Sequence, residues 1–510
     1  MSISPALSKN RVIITIAVML ATIMQALDTT IANVALPRMQ GTLSATQDQM
    51  TWVLTSYIVA AAITIPLTGW LANRYDRRLI FLISIAGFTL ASALCGLAEN
   101  LPQIVLFRLL QGISGAALVP LSQAILFDIN PPERHGSAMA TWGVGVTMGP
   151  ILGPALGGWL TENYNWRWVF YINVPIGILA FLGLLFFLPK RPGNPLSRFD
   201  FLGFISLSLA IGALQLFLDR GELKGWFSSP EIVIEALVAG IGLYIFVVHM
   251  FSHKSPFLNP ALFKDRNFLT SNVFIFVVGV VLFATLALIP PMLQGLMNYP
   301  VVTTGLVTAP RGIGTMLAMM IVGRLVGRIE VRVLIAFGLV LTIISLWQMT
   351  QFSLLMNEWP MIISGVLQGF GVGLVYVPLS TVAFATLPPH LRTEGTAFFN
   401  LMRNLGSSVG ISMVQILLTR NTQILHASLA EHITPFNPAA QPALQAAKID
   451  LASPQSLAIL NNEITRQAAM IAYLNDFKLI MIMAIVLLPL LVFIQKARQK
   501  PSNEHPVVME

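Results

Sequence analysis

Apolar runs long enough to cross a membrane recur fourteen times along the 510 residues, and they dictate the class of fold. Each is roughly 20 residues, the length of helix that traverses a hydrocarbon core about 30 Å thick. The first runs from Arg11 to Leu36, the fifth from Ser137 to Leu160 and the last from Phe477 to Lys496. Lipid offers no hydrogen bonds, so a backbone crossing it must satisfy its own polar groups, as a helix does. Charged residues make up only 10% of the chain, where a soluble domain carries about a quarter. The expected fold class is therefore an all-α polytopic membrane protein with 14 transmembrane helices.

The chain also matches itself. Gly69, Leu71, Arg74, Asp76, Arg78 and Ile80 recur as Gly323, Leu325, Arg328, Glu330, Arg332 and Leu334, an offset of 254. Leu110-Gln111-Gly112 recurs as Leu367-Gln368-Gly369, Pro120-Leu121-Ser122 as Pro378-Leu379-Ser380, and Pro131-Pro132 as Pro388-Pro389, at offsets of 257, 258 and 257. Spans two to four thus repeat as spans ten to twelve. The expected organisation is an N-terminal six-helix half (1–199), two inserted helices (200–255) and a C-terminal six-helix half (256–510). Parallel repeats of this kind build transporters whose site lies between the halves near the membrane midplane, reached by alternating access.

Lys and Arg number 30 and divide 19 to 8 between the two faces, with 3 inside spans. The positive-inside rule then places both termini in the cytoplasm. This asymmetry accounts for the net charge of +8 through contact with anionic lipid, with no nucleic acid partner. Asp28 and thirteen further spans identify the N-terminal run as a retained helix and not a cleaved signal. The single cysteine, Cys95, lies in an apolar span and permits no internal disulfide.

Few polar residues fall inside the spans, and each needs a reason. Asp28, in Gln25-Ala26-Leu27-Asp28-Thr29-Thr30, is a carboxylate that favours its neutral form once desolvated, as a proton carrier must; the alternative is a helix-end residue hydrated from outside. Arg108, at the start of the fourth span, stays charged at any depth and demands an acceptor, either Asp28 or helix-end carbonyls. Gln111 lies one turn on. Arg311 and Arg403 are embedded in the second half, Arg403 near Asn400, Asn404 and Ser407. The position 257 after Asp28 is Thr285, so the repeat is functionally asymmetric and protonation is expected in the first half. Gln25, Tyr57, Trp142, Gln294 and Tyr376 fall in spans and stand as cavity residues, although most membrane aromatics face lipid or core. An aromatic, methionine-rich cavity with one acid suits bulky amphipathic compounds.

Gly145, Gly149, Gly153 and Gly157 recur every fourth residue in the fifth span, with Pro150 and Pro154 between them. Small residues at that spacing let helices approach closely, and each proline removes a backbone hydrogen bond. The segment is a bendable seam, a gate or a tight packing face. The turn containing Gly69, Arg74, Asp76, Arg77 and Arg78, with its copy at Arg328, Glu330 and Arg332, is either a topology determinant or a latch bonding across the halves when the inner side closes. Between Asn421 and Asn475 the sequence reads as a long external loop with Pro435, Pro438, Pro442 and Pro454, then a polar helical stretch from Ile464 to Leu474. There is no His-Glu-x-x-His and no Gly-x-x-x-x-Gly-Lys-Ser/Thr, and the one Gly-x-Ser-x-Gly string, Gly406 to Gly410, lies inside an apolar span, so neither an enzyme, a metal site nor an internal ATP drive is expected, and no cofactor.

With these motifs in hand, the whole chain resembles the fourteen-span drug:proton antiporters of the major facilitator superfamily, specifically EmrB-type multidrug efflux subunits. The match rests on Leu27-Asp28-Thr29-Thr30-Ile31-Ala32-Asn33-Val34-Ala35-Leu36-Pro37, on Arg108-Leu109-Leu110-Gln111-Gly112, on Phe170-Tyr171-Ile172-Asn173-Val174-Pro175-Ile176-Gly177, and on Leu218-Asp219-Arg220-Gly221 through Trp226-Phe227-Ser228-Ser229. The resemblance implies that Asp28 and Arg108 serve proton coupling and that Gly145 through Gly158 belong to an export motif. It further implies bacterial inner-membrane export of hydrophobic toxic compounds, with a periplasmic adaptor and outer-membrane channel meeting segment 421–475. One departure is local: the superfamily's loop motif usually has Asp where this chain has Asn73 and Gly where it has Asp76. The nearest rival is dedicated export of one endogenous product, such as a siderophore or fatty acid, and a membrane enzyme is the distant one.

Overall fold

The computed structural model describes residues 5–190, 199–433, 441–442 and 453–495. Among them the chain is helical throughout, and hydrogen-bonding side chains stop and start the helices. Helix α1 is Pro5–Leu43 and α2 is Gln47–Arg74, opened by a capping box between Thr46 and Gln49. Asp76 caps α3 (Arg77–Leu97) and Asn100 caps α4 (Leu101–Gly115), which α5 (Leu118–Ile129) continues. Helix α6 is His135–Asn163; α7 (Trp168–Tyr171) and α8 (Asn173–Phe187) form one further crossing. Asp200 caps α9 (Phe201–Arg220), and α10 is Pro230–Ser252. The short α11 (Ala261–Lys264) leads to α12 (Arg266–Pro291), capped by Asp265. Then come α13 (Val301–Leu325), α14 (Val331–Met349), α15 (Trp359–Ala385), α16 (Arg392–Glu431) and α17 (Pro454–Leu490).

Thirteen crossings are long and apolar enough to span a membrane. The glycine-rich α6, at 29 residues, extends about 43 Å and makes fourteen. The repeat reappears in the packing. Helix α6 lies against α1 as α16 does against α12, α4 packs between α2 and α3 as α15 does between α13 and α14, and α8 joins α1 and α3 as α17 joins α12 and α14. These two six-helix halves form a major facilitator fold, with α9 and α10 inserted between them in sequence. The inserted pair packs on itself and lays α9 along the groove where α2 meets α16. Thr55 of α2 bonds Asp219, and the Ser408 hydroxyl of α16 donates to Gln215 Oε1 at 2.8 Å, so α9 is pinned to both halves.

The glycine seam is a packing face. A Cβ added at Gly145, Gly149, Gly153 or Gly157 would fall on Met19, Ala26, Thr30 or Ile31 of α1, and the Thr30 hydroxyl donates to the Gly149 carbonyl at 3.0 Å. Gly406 and Gly410 bring α16 equally close to Phe276 and Val280 of α12. Gly158 looks into open space. The side chains of Pro150 and Pro154 lie outside the described part of the structure.

Segment 421–475 departs from the expected loop. Helix α16 runs on to Glu431, and α17 already begins at Pro454. Forty residues of α16 reach about 60 Å, twice the hydrocarbon thickness. His426 and Asn461 meet at 2.9 Å, tying the two projections together. The stretch Asn421 to Glu431 lacks Gly and Pro and carries the helix formers Leu425, Ala427, Leu429 and Ala430, so nothing stops the helix at the membrane surface. Pro435 and Pro438 lie outside the described residues, as does Lys496.

The seam yields a paired expectation. Gly149→Ala drives a methyl into the Ala26 backbone and lowers unfolding stability in detergent by about 1–3 kcal/mol. Gly158→Ala changes it by less than about 0.5 kcal/mol. Equal melting temperatures for the two variants would refute the close contact.

Candidate functional site

The few buried charges of the N-terminal half converge on one point. Asp28 of α1 and Arg108 of α4 are 0% and 1% exposed, and Arg108 Nη1 donates to Asp28 Oδ2 at 2.6 Å. Gln111, one turn along α4, is on the same face: its Nε2 donates to Asp28 Oδ1 at 2.8 Å and its Oε1 accepts from Arg108 at 2.8 Å. Asn173 of α8 donates to Asp28 Oδ1 at 3.0 Å and to Ser92 Oγ of α3 at 3.0 Å. Arg108 Nε donates to the Val53 carbonyl of α2 at 3.1 Å, and its guanidinium carbon stands 4.3 Å from the centre of the Tyr57 ring. Gln25 donates to the Tyr57 hydroxyl at 3.5 Å. Three crossings meet at the carboxylate, and α2 and α3 support its partners. The acid is a fully desolvated member of an ion pair and not a hydrated helix end.

A second polar set closes one end of the molecule, the end bearing the turn Gly69–Arg78. Asn400 of α16 donates to Gln123 Oε1 of α5 at 2.7 Å, Gln123 Nε2 donates to the Tyr376 hydroxyl of α15 at 3.4 Å, and Thr396 donates to the Pro120 carbonyl at 3.2 Å. Trp142 donates to Ser122 at 2.8 Å and stacks on Tyr376 with centroids 5.9 Å apart. Phe127 meets Phe384 edge-on at 5.3 Å. Gly136 and Gly143 of α6 face Val326 and Met319 of α13, and Gly69 abuts the backbone of Glu394. Farther along, Gly312, in the middle of α13, touches Ile151. The halves are thus sealed from that end to about mid-depth. Trp142, Tyr376, Gln123 and Asn400 form the seal.

The turn itself is bonded mostly within its own half. Arg77 pairs with Asp128 at 2.7 Å, Arg78 donates to the Leu185 carbonyl, and Asp76 accepts from the Arg78 backbone at 3.0 Å. In the copy, Arg332 Nε donates to the Ile494 carbonyl at 2.6 Å, while Arg328 and Glu330 shape the turn into α14 through their backbone. Arg74 also has a partner. Across the halves, Glu394 sits on Gly69, while within its own half it accepts from the Asn259 backbone.

The remaining expected residues scatter. Gln294 is exposed in the π-turn Met292–Leu296 that follows α12. Arg403 Nη2 donates to Asn404 at 3.4 Å and lies by Tyr376. Arg311 is 6% exposed and donates to the Leu282 carbonyl at 3.2 Å. Buried polar residues that escaped the sequence reading include Asn173, Ser92, Gln123, Glu394 and Asp476, the last 1% exposed on α17. Asn173 lay inside a motif already singled out, and an asparagine within an apolar span was its signal.

The Major Facilitator Superfamily model matches residues 18–411. Among curated proteins, the multidrug export protein EmrB of Haemophilus influenzae is 36% identical over 497 residues, 97% of each chain. EmrB of Escherichia coli K12 is 39% identical over 436 residues, 84% of each. The fatty acid resistance protein FarB of Neisseria gonorrhoeae is 36% identical over 479 residues, 94% of each. Among solved structures, the human organic anion transporter MFSD10 superposes with a TM-score of 0.58 at 15% identity, over 93% of this chain and 99% of that one. A bacterial homologue of the lysosomal transporter Spinster gives 0.54 at 18% identity, over 96% and 99%. At such identities these two report the fold alone. The chain belongs to the Major Facilitator Superfamily, in the group that contains the EmrB exporters.

Proposed function

We propose that this protein exports hydrophobic and amphipathic toxic compounds across the bacterial inner membrane in exchange for protons, with both termini in the cytoplasm. The observation that carries this reading is the desolvated Asp28–Arg108 pair, held by Gln111 and Asn173. A proton on Asp28 removes the charge that holds Arg108, and the guanidinium falls back on Gln111, Val53 and Tyr57. Helix α1 then loosens from α4. Because α1 is locked to α6 along the glycine seam, and α6 touches α13 through Gly136 and Gly143, a shift of α1 reaches the seal between the halves. Two ligands, proton and substrate, are coupled through one two-state element.

In this reading the sealed end is cytoplasmic. Rocking apart of the halves there breaks the contacts of Gln123, Asn400, Trp142 and Tyr376, which then line the entry cavity with Tyr57, Gln111 and Arg403. The basic turns orient the helices and brace each half, and the gradient replaces any cofactor. The paired projections of α16 and α17 serve as the dock for a periplasmic adaptor, and through it an outer-membrane channel. A dedicated exporter of one acidic product is the second reading, favoured by the FarB relative.

Inverted vesicles test the coupling. Asp28→Asn abolishes dye uptake driven by a pH gradient but retains substrate exchange without a gradient; gradient-driven uptake by the variant would remove Asp28 from the role. Its unfolding stability falls by about 3–5 kcal/mol, because Arg108 is left buried and unpaired. Competition among chemically unrelated dyes separates the broad exporter from the dedicated one. Deleting 435–453 is expected to abolish adaptor pull-down while leaving vesicle transport intact; retained pull-down and cellular efflux would defeat the docking role.

A further inference from the structure

The C-terminal half holds a counterpart of the Asp28 site with its acid missing and its cation kept. Gln368, 257 residues after Gln111, donates to Thr285, 257 residues after Asp28, at 3.1 Å, as Gln111 does to Asp28. The position 257 after Arg108 is Gly365. A guanidinium is still supplied, but from the next helix: Arg311 of α13, 254 after Tyr57, lies with its Cβ 3.6 Å from where a Gly365 Cβ would stand. Gly369 opens the same face by admitting the Arg311 backbone.

Arg311 is 6% exposed, yet its one acceptor is the Leu282 carbonyl, and Nη1 has none. Gln368 Oε1 is likewise unbonded. Among the described residues no carboxylate lies within ion-pair distance of Arg311. Asp476, the buried acid of α17, leaves Oδ2 unbonded and does not reach it. A guanidinium keeps its charge at any depth, and its planar fork matches an oxyanion held by two hydrogen bonds. Pro310 immediately precedes Arg311 inside α13, and Val307, one turn away, together with Val281, beside Leu282, gives the surroundings an apolar wall.

We propose that Arg311, with Gln368 and Thr285, is a binding subsite for the carboxylate head of an amphipathic anion, whose tail lies along the apolar wall of α12 and α13. It deepens the export reading by naming a substrate class, and rests on that reading only for the fate of the bound anion. At these equivalent places each half carries a guanidinium to be answered: in the first by an acid that a proton silences, in the second by the cargo. A phospholipid phosphate is the other source of an oxyanion on an apolar tail.

The test is equilibrium binding to the purified full chain in uncharged detergent, with dodecanoate and dodecyltrimethylammonium as probes that share one tail. Dodecanoate binds the wild type and loses about ten- to hundredfold in affinity in Arg311→Gln, while the cation binds both alike. Arg311→Gln also melts no lower than the wild type, since it removes an unanswered charge, and that excludes misfolding as the cause. Equal dodecanoate affinity in both proteins overturns the subsite, as does absence of dodecanoate binding to the wild type. Loss of co-purifying phosphatidylglycerol in the variant, with dodecanoate affinity unchanged, assigns Arg311 to lipid and overturns it as well. Gradient-driven uptake of a cationic dye by the wild type is measured alongside. Its absence in the wild type would refute proton-coupled export without touching the binding result.

Discussion

A carboxylate and a guanidinium withdrawn together from water form the centre on which this molecule is organised. Burying either alone in a membrane interior is costly, because desolvating an isolated charge is not repaid by packing. Buried as a pair, they still leave lone pairs and protons to be satisfied, and the chain answers from four further positions: Gln111, Asn173, the Val53 carbonyl and the Tyr57 ring. Since these come from α1, α2, α4 and α8, the pair fixes how those helices stand relative to one another. Any event that changes the charge at Asp28 must be felt by each of them.

Glycine translates that local change into something larger. Helices α1 and α6 approach closely from Gly145 to Gly157, with the Ala26 backbone directly on Gly149 and Met19, Thr30 and Ile31 side chains seated on the other three glycines, which leaves little slack to absorb a displacement. The opposite side of α6 uses Gly136 and Gly143 to meet α13 of the other half. One helix thereby packs tightly against the helix that carries Asp28 on one face and against the other half on the other. The inserted pair adds a constraint of a different kind: α9 is pinned to α2 by Thr55 and Asp219 and to α16 by Gln215 and Ser408, so it straddles the groove between the halves while α10 faces lipid. That placement gives the two extra helices the geometry of a strut beside the α2 and α16 contact.

Most of the architecture was legible because the membrane reduces folding to a few rules. Apolar length gave the crossings, the 254 to 258 offsets gave the halves, and a charge inside a span announced its own need for a partner. What the sequence left open was rotation. Whether Gly145 to Gly157 faced α1 or α13, and whether Gln294 pointed inward, depends on which side of a helix meets which neighbour, and a span that is apolar all round does not encode it. Segment 421–475 was misread for another reason. Its polarity marked it as outside the bilayer, but polarity says nothing against helix when Gly and Pro are absent until residue 435.

Asymmetry between the halves follows from the same physics that holds each together. Duplication supplies both with a glutamine at the centre of the fourth crossing and its counterpart, and Gln111 and Gln368 keep equivalent partners on α1 and α12. A membrane transporter with titratable acids in both halves would have to charge and discharge two buried pairs per cycle, each with its own desolvation barrier. Replacing one acid by Thr285 removes that second barrier and leaves Arg311 as a fixed charge unaffected by proton supply. In the proposed coupling, a proton at Asp28 acts on the first half while the Arg311 charge near Thr285 in the second stays constant, and that difference lets a single proton bias a two-state equilibrium in one direction.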